Sequence, residues 1–195
     1  MDLSYYFKKG IRGNKQFREA LKVAKDNSLD GNIWVIGGTV YRSIVRSLYN
    51  STAEEVIDFD FILEKPVDTQ NIRSPNGWKL TKTSLGEPRF VKGKKQIDLV
   101  DLNNSVNPAE PKKASMNVKQ KIEGYFRRCP LTIQAIVYDV NSKKIIGDTG
   151  IQAIMMKEIK INNLTECASF CKRRKISIRQ FIKRKASSLN FKPVF

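Results

Sequence analysis

Residues 32–49 constrain the fold more than any other stretch. Four apolar residues, Ile33-Trp34-Val35-Ile36, run into Gly37-Gly38 and then directly into a segment whose apolar side is Val40, Ile44, Val45 and Leu48. A short β-branched and aromatic run bounded by glycine reads as a buried strand. Apolar spacing of three and four residues reads as a helix. The glycine pair must therefore turn a strand into a helix, and glycine permits the close backbone approach such a turn needs. The first N–H groups of that helix lack partners and carry partial positive charge, which suits a triphosphate. An ordinary strand–helix turn accounts for the glycines equally well. The chain contains neither G-x-x-x-x-G-K-[ST] nor G-x-G-x-x-G, so neither a Walker-type nor a Rossmann-type site is supported.

Helical and strand patterns alternate around this unit. Residues 14–26 form an amphipathic helix pattern with Asn14 as N-cap. Residues 56–63 read as a second strand, 65–76 as a loop with two prolines, and 78–83, 89–91 and 96–102 as further short strands. Residues 103–115 read as a loop, 118–126 as a short helix, and 131–138 as ambiguous between helix and strand. Residues 143–147 read as β, 150–156 as a short helix, and 164–189 as one or two basic helices. The order predicts an α+β fold: a small mixed β-sheet near the N-terminus, flanked by helices, with a basic C-terminal helical segment. The expected division is a head domain at 1–160 and a helical extension at 161–195.

The chain carries 36 Lys and Arg against 19 Asp and Glu, a formal charge of +17. An excess of that size creates a field that recruits polyanions. Lys172, Arg173, Arg174, Lys175, Arg179, Lys183, Arg184 and Lys185 follow one another with no acid between them. They are the candidate RNA-binding residues, because affinity for nucleic acid comes largely from Lys and Arg on phosphates. Ile176, Ile178, Phe181, Ile182 and Leu189 give the segment an apolar side and predict a docked helix. The three cysteines, Cys129, Cys167 and Cys171, are an odd number and point to free thiols in a reducing compartment. With no histidine in the chain, a zinc site is disfavoured. No apolar run has the length of a transmembrane helix, and the N-terminus lacks signal-peptide order, so a cytoplasmic protein without membrane contact is expected.

Asp58-Phe59-Asp60 lies in a predicted strand, where side chains two apart share a face. Two carboxylates held together repel unless a cation sits between them or one is protonated. A hard divalent ion such as Mg²⁺ answers that need with oxygen ligands. Asp98, on another predicted strand, is the candidate third carboxylate for a two-metal site, while Asp101 falls on the opposite face. The chemistry would be phosphoryl transfer. Asp-x-Asp by itself is more readily a solvated strand face than a metal site. Its position about twenty residues after Gly37-Gly38 makes the combination more specific.

Ile36-Gly37-Gly38-Thr39-Val40 followed by Asp58-Phe59-Asp60 resembles the head of the class II CCA-adding enzyme and bacterial poly(A) polymerase family, within the polymerase-β-like nucleotidyltransferases. Gln96-Ile97-Asp98-Leu99-Val100 is similar to the family's third-carboxylate strand. The segment 127–139, beginning Arg127-Arg128-Cys129-Pro130, is similar to its "RRDFTINALAYD" stretch, and 144–150 to its "iiDpfgG" stretch. The resemblance spans roughly residues 30–160. It implies Asp58, Asp60 and Asp98 as catalytic and metal-binding carboxylates. It also implies Gly37 and Gly38 at the triphosphate, with Arg127 and Arg128 near the nucleotide or RNA. The cofactors would be Mg²⁺ and an NTP, ATP and/or CTP, and the acceptor an RNA 3′ hydroxyl, foremost tRNA.

The departures are specific. Tyr41-Arg42 stands where the family has Arg-Asp, which removes an acid and shifts the hold on sugar or base; Arg42 joins the nucleotide-binding candidates. Cys129-Pro130 replaces Asp-Phe, and Gln134 replaces Asn. The family's base-selecting "EDxxRxxR" helix is degraded: Glu166-Cys167 begins it, but Phe170 occupies the first Arg position. Base choice is therefore not carried over. The chain ends where the family's neck begins, so a protein partner or a second copy is expected to supply the body. Two other readings stay open: the same fold acting on a protein, a small molecule or tRNA as a toxin, and a non-catalytic RNA-binding protein.

Overall fold

The structure is a computed structural model that describes residues 1–51, 58–65, 67, 71–83, 86–105 and 115–195. Seven strands form one mixed sheet: β1 (Ile33–Ile36), β2 (Asp58–Leu63), β3 (Lys79–Lys82), β4 (Pro88–Lys92), β5 (Lys95–Asp101), β6 (Val137–Asp139) and β7 (Lys144–Ile146). Their spatial order is β3-β4-β5-β2-β1-β6-β7. β2 and β5 run parallel, and every other neighbouring pair in this sheet is antiparallel. The sheet is larger than expected because β6 and β7 join it from beyond residue 136. The start of the predicted second strand, 56–57, lies outside the described residues, as do 106–114 of the predicted loop.

Local chemistry explains most of the helix starts. Asp2 caps α1 (Leu3–Ile11) by accepting from the Ser4 N–H at 2.8 Å, and Asn14 caps α2 (Lys15–Asp26) by accepting from Phe17 at 2.9 Å. Such caps satisfy N–H groups that the helix itself leaves open. α3 (Gly38–Tyr49) starts directly from the glycine turn. α5 (Val118–Arg128) and α8 (Ile178–Ser187) begin with capping boxes, Asn117 with Gln120 and Ser177 with Gln180. α6 (Asp148–Met156) and α7 (Leu164–Arg174) complete the longer helices. The α1 helix is absent from the sequence reading. Residues 103–105, expected as loop, instead fall in a helical turn, α4 (Leu102–Ser105), because the Asp101 carboxylate accepts from the Asn103 N–H at 2.8 Å and starts the turn. The ambiguous segment 131–138 resolves into a 3₁₀ turn at Thr132–Gln134 followed by β6.

The period-two alternation of the strands divides the core. One face presents Val35, Phe59, Phe61, Phe90, Ile97 and Leu99 to α1, α2 and α3, in a cluster that also takes in α6, α7 and α8. Phe17 of α2 meets Phe59 with ring centroids 6.1 Å apart. The opposite face carries a smaller cluster, Trp34, Ile36, Ile62 and Val137, covered by Leu102 and by Ile122 of α5. Each large apolar side chain buried in this way contributes about 1.5–3 kcal/mol. The C-terminal helices belong to the main cluster: Cys167, Cys171, Phe181, Ile182, Ala186 and Leu189 are all buried in it. A parallel pair, β8 (Glu158–Ile159) with β9 (Lys192–Pro193), ties the last residues back to the end of α6.

Candidate active site

The carboxylates lie on the face of the smaller cluster. Asp60 pairs across β1 with Ile36 and across β5 with Asp98. Asp58 shares the Asp60 side of β2, since only one residue separates them. Phe59 and Phe61 point the other way into the main core and anchor the strand. The parallel register of β2 and β5 thus brings Asp58, Asp60 and Asp98 to one patch, from positions forty residues apart in the chain. Asp101 takes the opposite face.

The glycine turn closes over this patch. Gly37 has φ +67°, a conformation unfavourable for other residues, and a Cβ there would stand 2.9 Å from Asp60 Oδ2. Glycine at 37 is therefore needed both for the turn and for room beside the carboxylate. Thr39, 1% exposed, donates from its hydroxyl to the Asp58 carbonyl at 3.0 Å. That bond fixes the start of α3 against the strand that bears the acids. Nothing in the sequence marks Thr39 for this bond, because a β-branched residue type alone does not signal it.

Crowding shows in the protonation of the acids. Burial pushes Asp60 up to about 7, reinforced by the neighbouring Asp98 and Asp58 carboxylates and opposed by Arg89. Burial and Asp98 also raise Asp58, while Arg42, Arg89 and Arg174 pull it down. Arg89, directly opposite Asp98 on β4, grips that carboxylate with both arms, Nε to Oδ1 at 2.6 Å and Nη2 to Oδ2 at 2.5 Å. Paired forks of this kind are short and directional. Arg89 was not foreseen, because its role depends on which strand lies beside β5.

The donor set suits a hard divalent ion. Asp58 and Asp60 offer oxygen ligands on one face, and an ion between them would relieve their repulsion. Asp98 stands beside them, oriented by Arg89. Among the described residues no three acidic, His or Cys side chains already converge into a metal cluster. The fit is thus of an acidic pair with a third carboxylate alongside.

Next to the acids lies a cleft of about 450 Å³ lined by Arg42, Phe170, Arg174, Phe181, Arg184 and Lys185. Arg42 comes from α3 and the others from α7 and α8. The charges of Arg42 and Arg174 reach Asp58. Phe170 and Phe181 stack with centroids 4.5 Å apart, and the Arg174 guanidinium sits 5.8 Å from the Phe170 ring centre. Lys185 donates to the Tyr41 hydroxyl at 3.0 Å. Of the eight basic residues expected to meet RNA, Arg174, Arg184 and Lys185 face this cleft. Lys172, Arg173, Lys175, Arg179 and Lys183 are exposed on the two helices.

Gly37, Gly38 and Arg42 come together, since a Cβ on Gly38 would touch the Arg42 guanidinium at 3.7 Å. Arg127 and Arg128 do not join them. Arg128 donates to Glu166 at 3.0 Å and to the carbonyls of Asn104 and Ser105 at 3.4 and 3.3 Å, bracing α5 against α7 and α4. Arg127 lines a separate cavity on the other side of α5.

No family model matches the sequence, and no curated protein matches it. Solved structures do share the fold. A CCA-adding enzyme in complex with ATP matches all of this chain and 42% of its own, with 17% identity and a TM-score of 0.61. A CCA-adding enzyme with CTP matches 89% of this chain and 40% of its own, at 17% identity and a TM-score of 0.58. A tRNA nucleotidyltransferase complexed with a primer tRNA and an incoming ATP analogue matches 90% of this chain and 46% of its own, at 20% identity and a TM-score of 0.54. The chain spans less than half the length of these proteins, and at such identity the likeness establishes the fold. Among the described residues no helix is long and apolar enough to cross a membrane.

Proposed function

We propose that this chain is a metal-dependent nucleotidyltransferase that moves a nucleoside monophosphate from an NTP to the 3′ hydroxyl of an RNA, foremost tRNA. The observation that carries the reading is the in-register pairing of Asp60 with Asp98, with Asp58 on the same face, directly beneath the Gly37 turn. The ATP, CTP and primer tRNA bound by proteins of the same fold support the choice of substrates.

Asp58 and Asp60 would hold Mg²⁺, with Asp98 as the third carboxylate. Bound there, the ion would supply the Lewis acidity that activates an attacking hydroxyl and stabilises departing pyrophosphate. The chain's own groups do the positioning. The N–H groups at the start of α3 and the Arg42 and Arg174 guanidinium groups receive the triphosphate oxygens. Phe170 offers an aromatic face to the incoming base, which stacking holds without regard to its identity. Arg89 fixes the orientation of Asp98. The exposed cations of α7 and α8 hold the RNA backbone.

Incubation with total RNA, Mg²⁺ and each labelled NTP in turn tests the reading. Label in RNA from at least one NTP, abolished in Asp58→Ala/Asp60→Ala, is expected. No transfer to any RNA, with the double variant indistinguishable from the wild type, would overturn it.

A further inference from the structure

The most spacious cavity described, about 780 Å³, lies on the carboxylate face of the sheet but on the far side of α5. Trp34 forms part of its floor. That side chain is 2% exposed, and its indole N–H has no hydrogen-bond acceptor among the described residues. Among the described residues, the fully enclosed side-chain polar atoms without a partner are Gln16 Oε1, Ser28 Oγ and Ser47 Oγ. The Trp34 N–H is not one of them, so it keeps some contact with solvent, and Trp34 lines the cavity. Water in the cavity can satisfy such a donor, and a ligand that displaces that water must offer an acceptor in its place.

The surroundings define what would accept. Ile122 and Phe126 of α5 and the half-exposed Ile146 of β7 form apolar walls that suit a flat ring. The rim mixes donors and acceptors: Lys119, Glu123 and Arg127 succeed one another along α5, and Asp139 of β6 and Asp148 of α6 add two carboxylates. The cleft beside Asp58 differs, since every charged group lining it is a cation. A cation-only lining suits phosphate. Apolar side chains with an indole donor among them and carboxylates in the lining suit a heterocycle with an acceptor on its edge and a sugar with hydroxyls to donate. A volume of this size lies within the usual range for a small-ligand site.

We infer that this cavity is a second nucleoside-binding site, in which a nucleobase accepts from the Trp34 N–H and the ribose hydroxyls donate to the rim carboxylates. The choice of a nucleoside rests on the nucleotidyltransferase reading; the pocket and its unpaired donor do not. The base belongs either to a strand of RNA or to a free nucleotide.

The test follows the Trp34 indole N–H resonance in the full chain, assigned with Trp78→Phe, which leaves one indole. AMP, GMP, CMP, UMP and a single-stranded RNA dodecamer are titrated separately, without metal. A saturable shift of the Trp34 resonance is expected. A shift with mononucleotides identifies a free-nucleotide site, and one with the dodecamer alone identifies an RNA base. Trp34→Phe, followed by the backbone amide resonances of α5, should weaken that binding by about two- to tenfold. Ile146→Glu, at an exposed edge strand, should do the same if Trp34→Phe does not fold, and Asp58→Asn/Asp60→Asn should leave it unchanged. A Trp34 resonance unmoved by mononucleotides and RNA that do shift α7 and α8 resonances overturns the inference. A shifted Trp34 in a protein with no transfer activity overturns only the functional reading.

Discussion

The cleft beside Asp58, lined from α3, α7 and α8, and the cavity under α5 share no lining residue, and their chemistry is opposed. The cleft gathers Arg42, Arg174, Arg184 and Lys185 around a stacked aromatic pair. The cavity buries a tryptophan under a rim of both charge signs. The difference teaches that a +17 chain need not be uniformly a polyanion surface. The charged groups lining the cleft are all cations, whereas the cavity lining carries both signs. Helix α5 separates two adjacent arginines: Arg128 turns towards Glu166, Arg127 towards the cavity.

The largest effect that sharpens this contrast is expected at the acids. Asp60→Asn should lower transfer about a thousandfold or more, since metal-assisted charge stabilisation is worth several kcal/mol. It should leave the Trp34 resonance in place. A variant with near-normal turnover in single-turnover assays would break the assignment of catalysis to this side.

Next in size is the wall of the cleft. Ile182 is fully buried in the main core, so Ile182→Ala should destabilise the fold by about 2–5 kcal/mol. Denaturant unfolding followed by circular dichroism and by Trp fluorescence should show a single transition. Two separate transitions would mean that α7 and α8 form an independent extension, as the sequence division at residue 160 supposed.

Smaller still is the effect of a single cation. Arg174→Ala should weaken Mg²⁺-dependent NTP binding at the carboxylates about tenfold and reduce the slope of log affinity against log salt by about one, whereas Arg127→Ala should do neither at that site. Equal losses for both variants would erase the distinction between cleft and cavity.

The smallest effect concerns the thiols, which neither region uses. Burial pushes Cys129 up to about 12 and Cys167 up to about 11, the latter reinforced by Cys171. Both folded values lie above the ordinary thiol value of 9.0. The folded state therefore keeps protons that the unfolded chain sheds above pH 9. This contribution to stability is complete below pH 9 and declines as pH rises towards 12. Thiol titration at pH 8 should find no rapidly reacting cysteine in the native protein and three after denaturation. Fast native labelling would place a thiol in one of the open cavities instead.

Much of the site was legible in the sequence because local periodicity governs it. The run Ile33–Ile36 into Gly37-Gly38 specified a strand, a turn and a helix start, and alternation put Asp58 and Asp60 on one face with Phe59 on the other. Asp98 followed by the same rule applied to a second strand. Other features depended on partners distant in the chain. Whether Asp98 met Arg89 depended on β4 pairing with β5 in one register. Arg42 met Arg174 and Lys185 only because Phe181 and Ile182 carry α8 into the core formed by the first three helices. Arg127 and Arg128 read as one basic pair, yet neighbours on a helix point about 100° apart, and the packing of α5 on the sheet sent them to different sides. The sequence by itself determined which side chains share a face, because that is set by backbone geometry within a few residues. Only the tertiary structure decided what each face meets, because that is set by strand register and core packing between segments far apart in the chain.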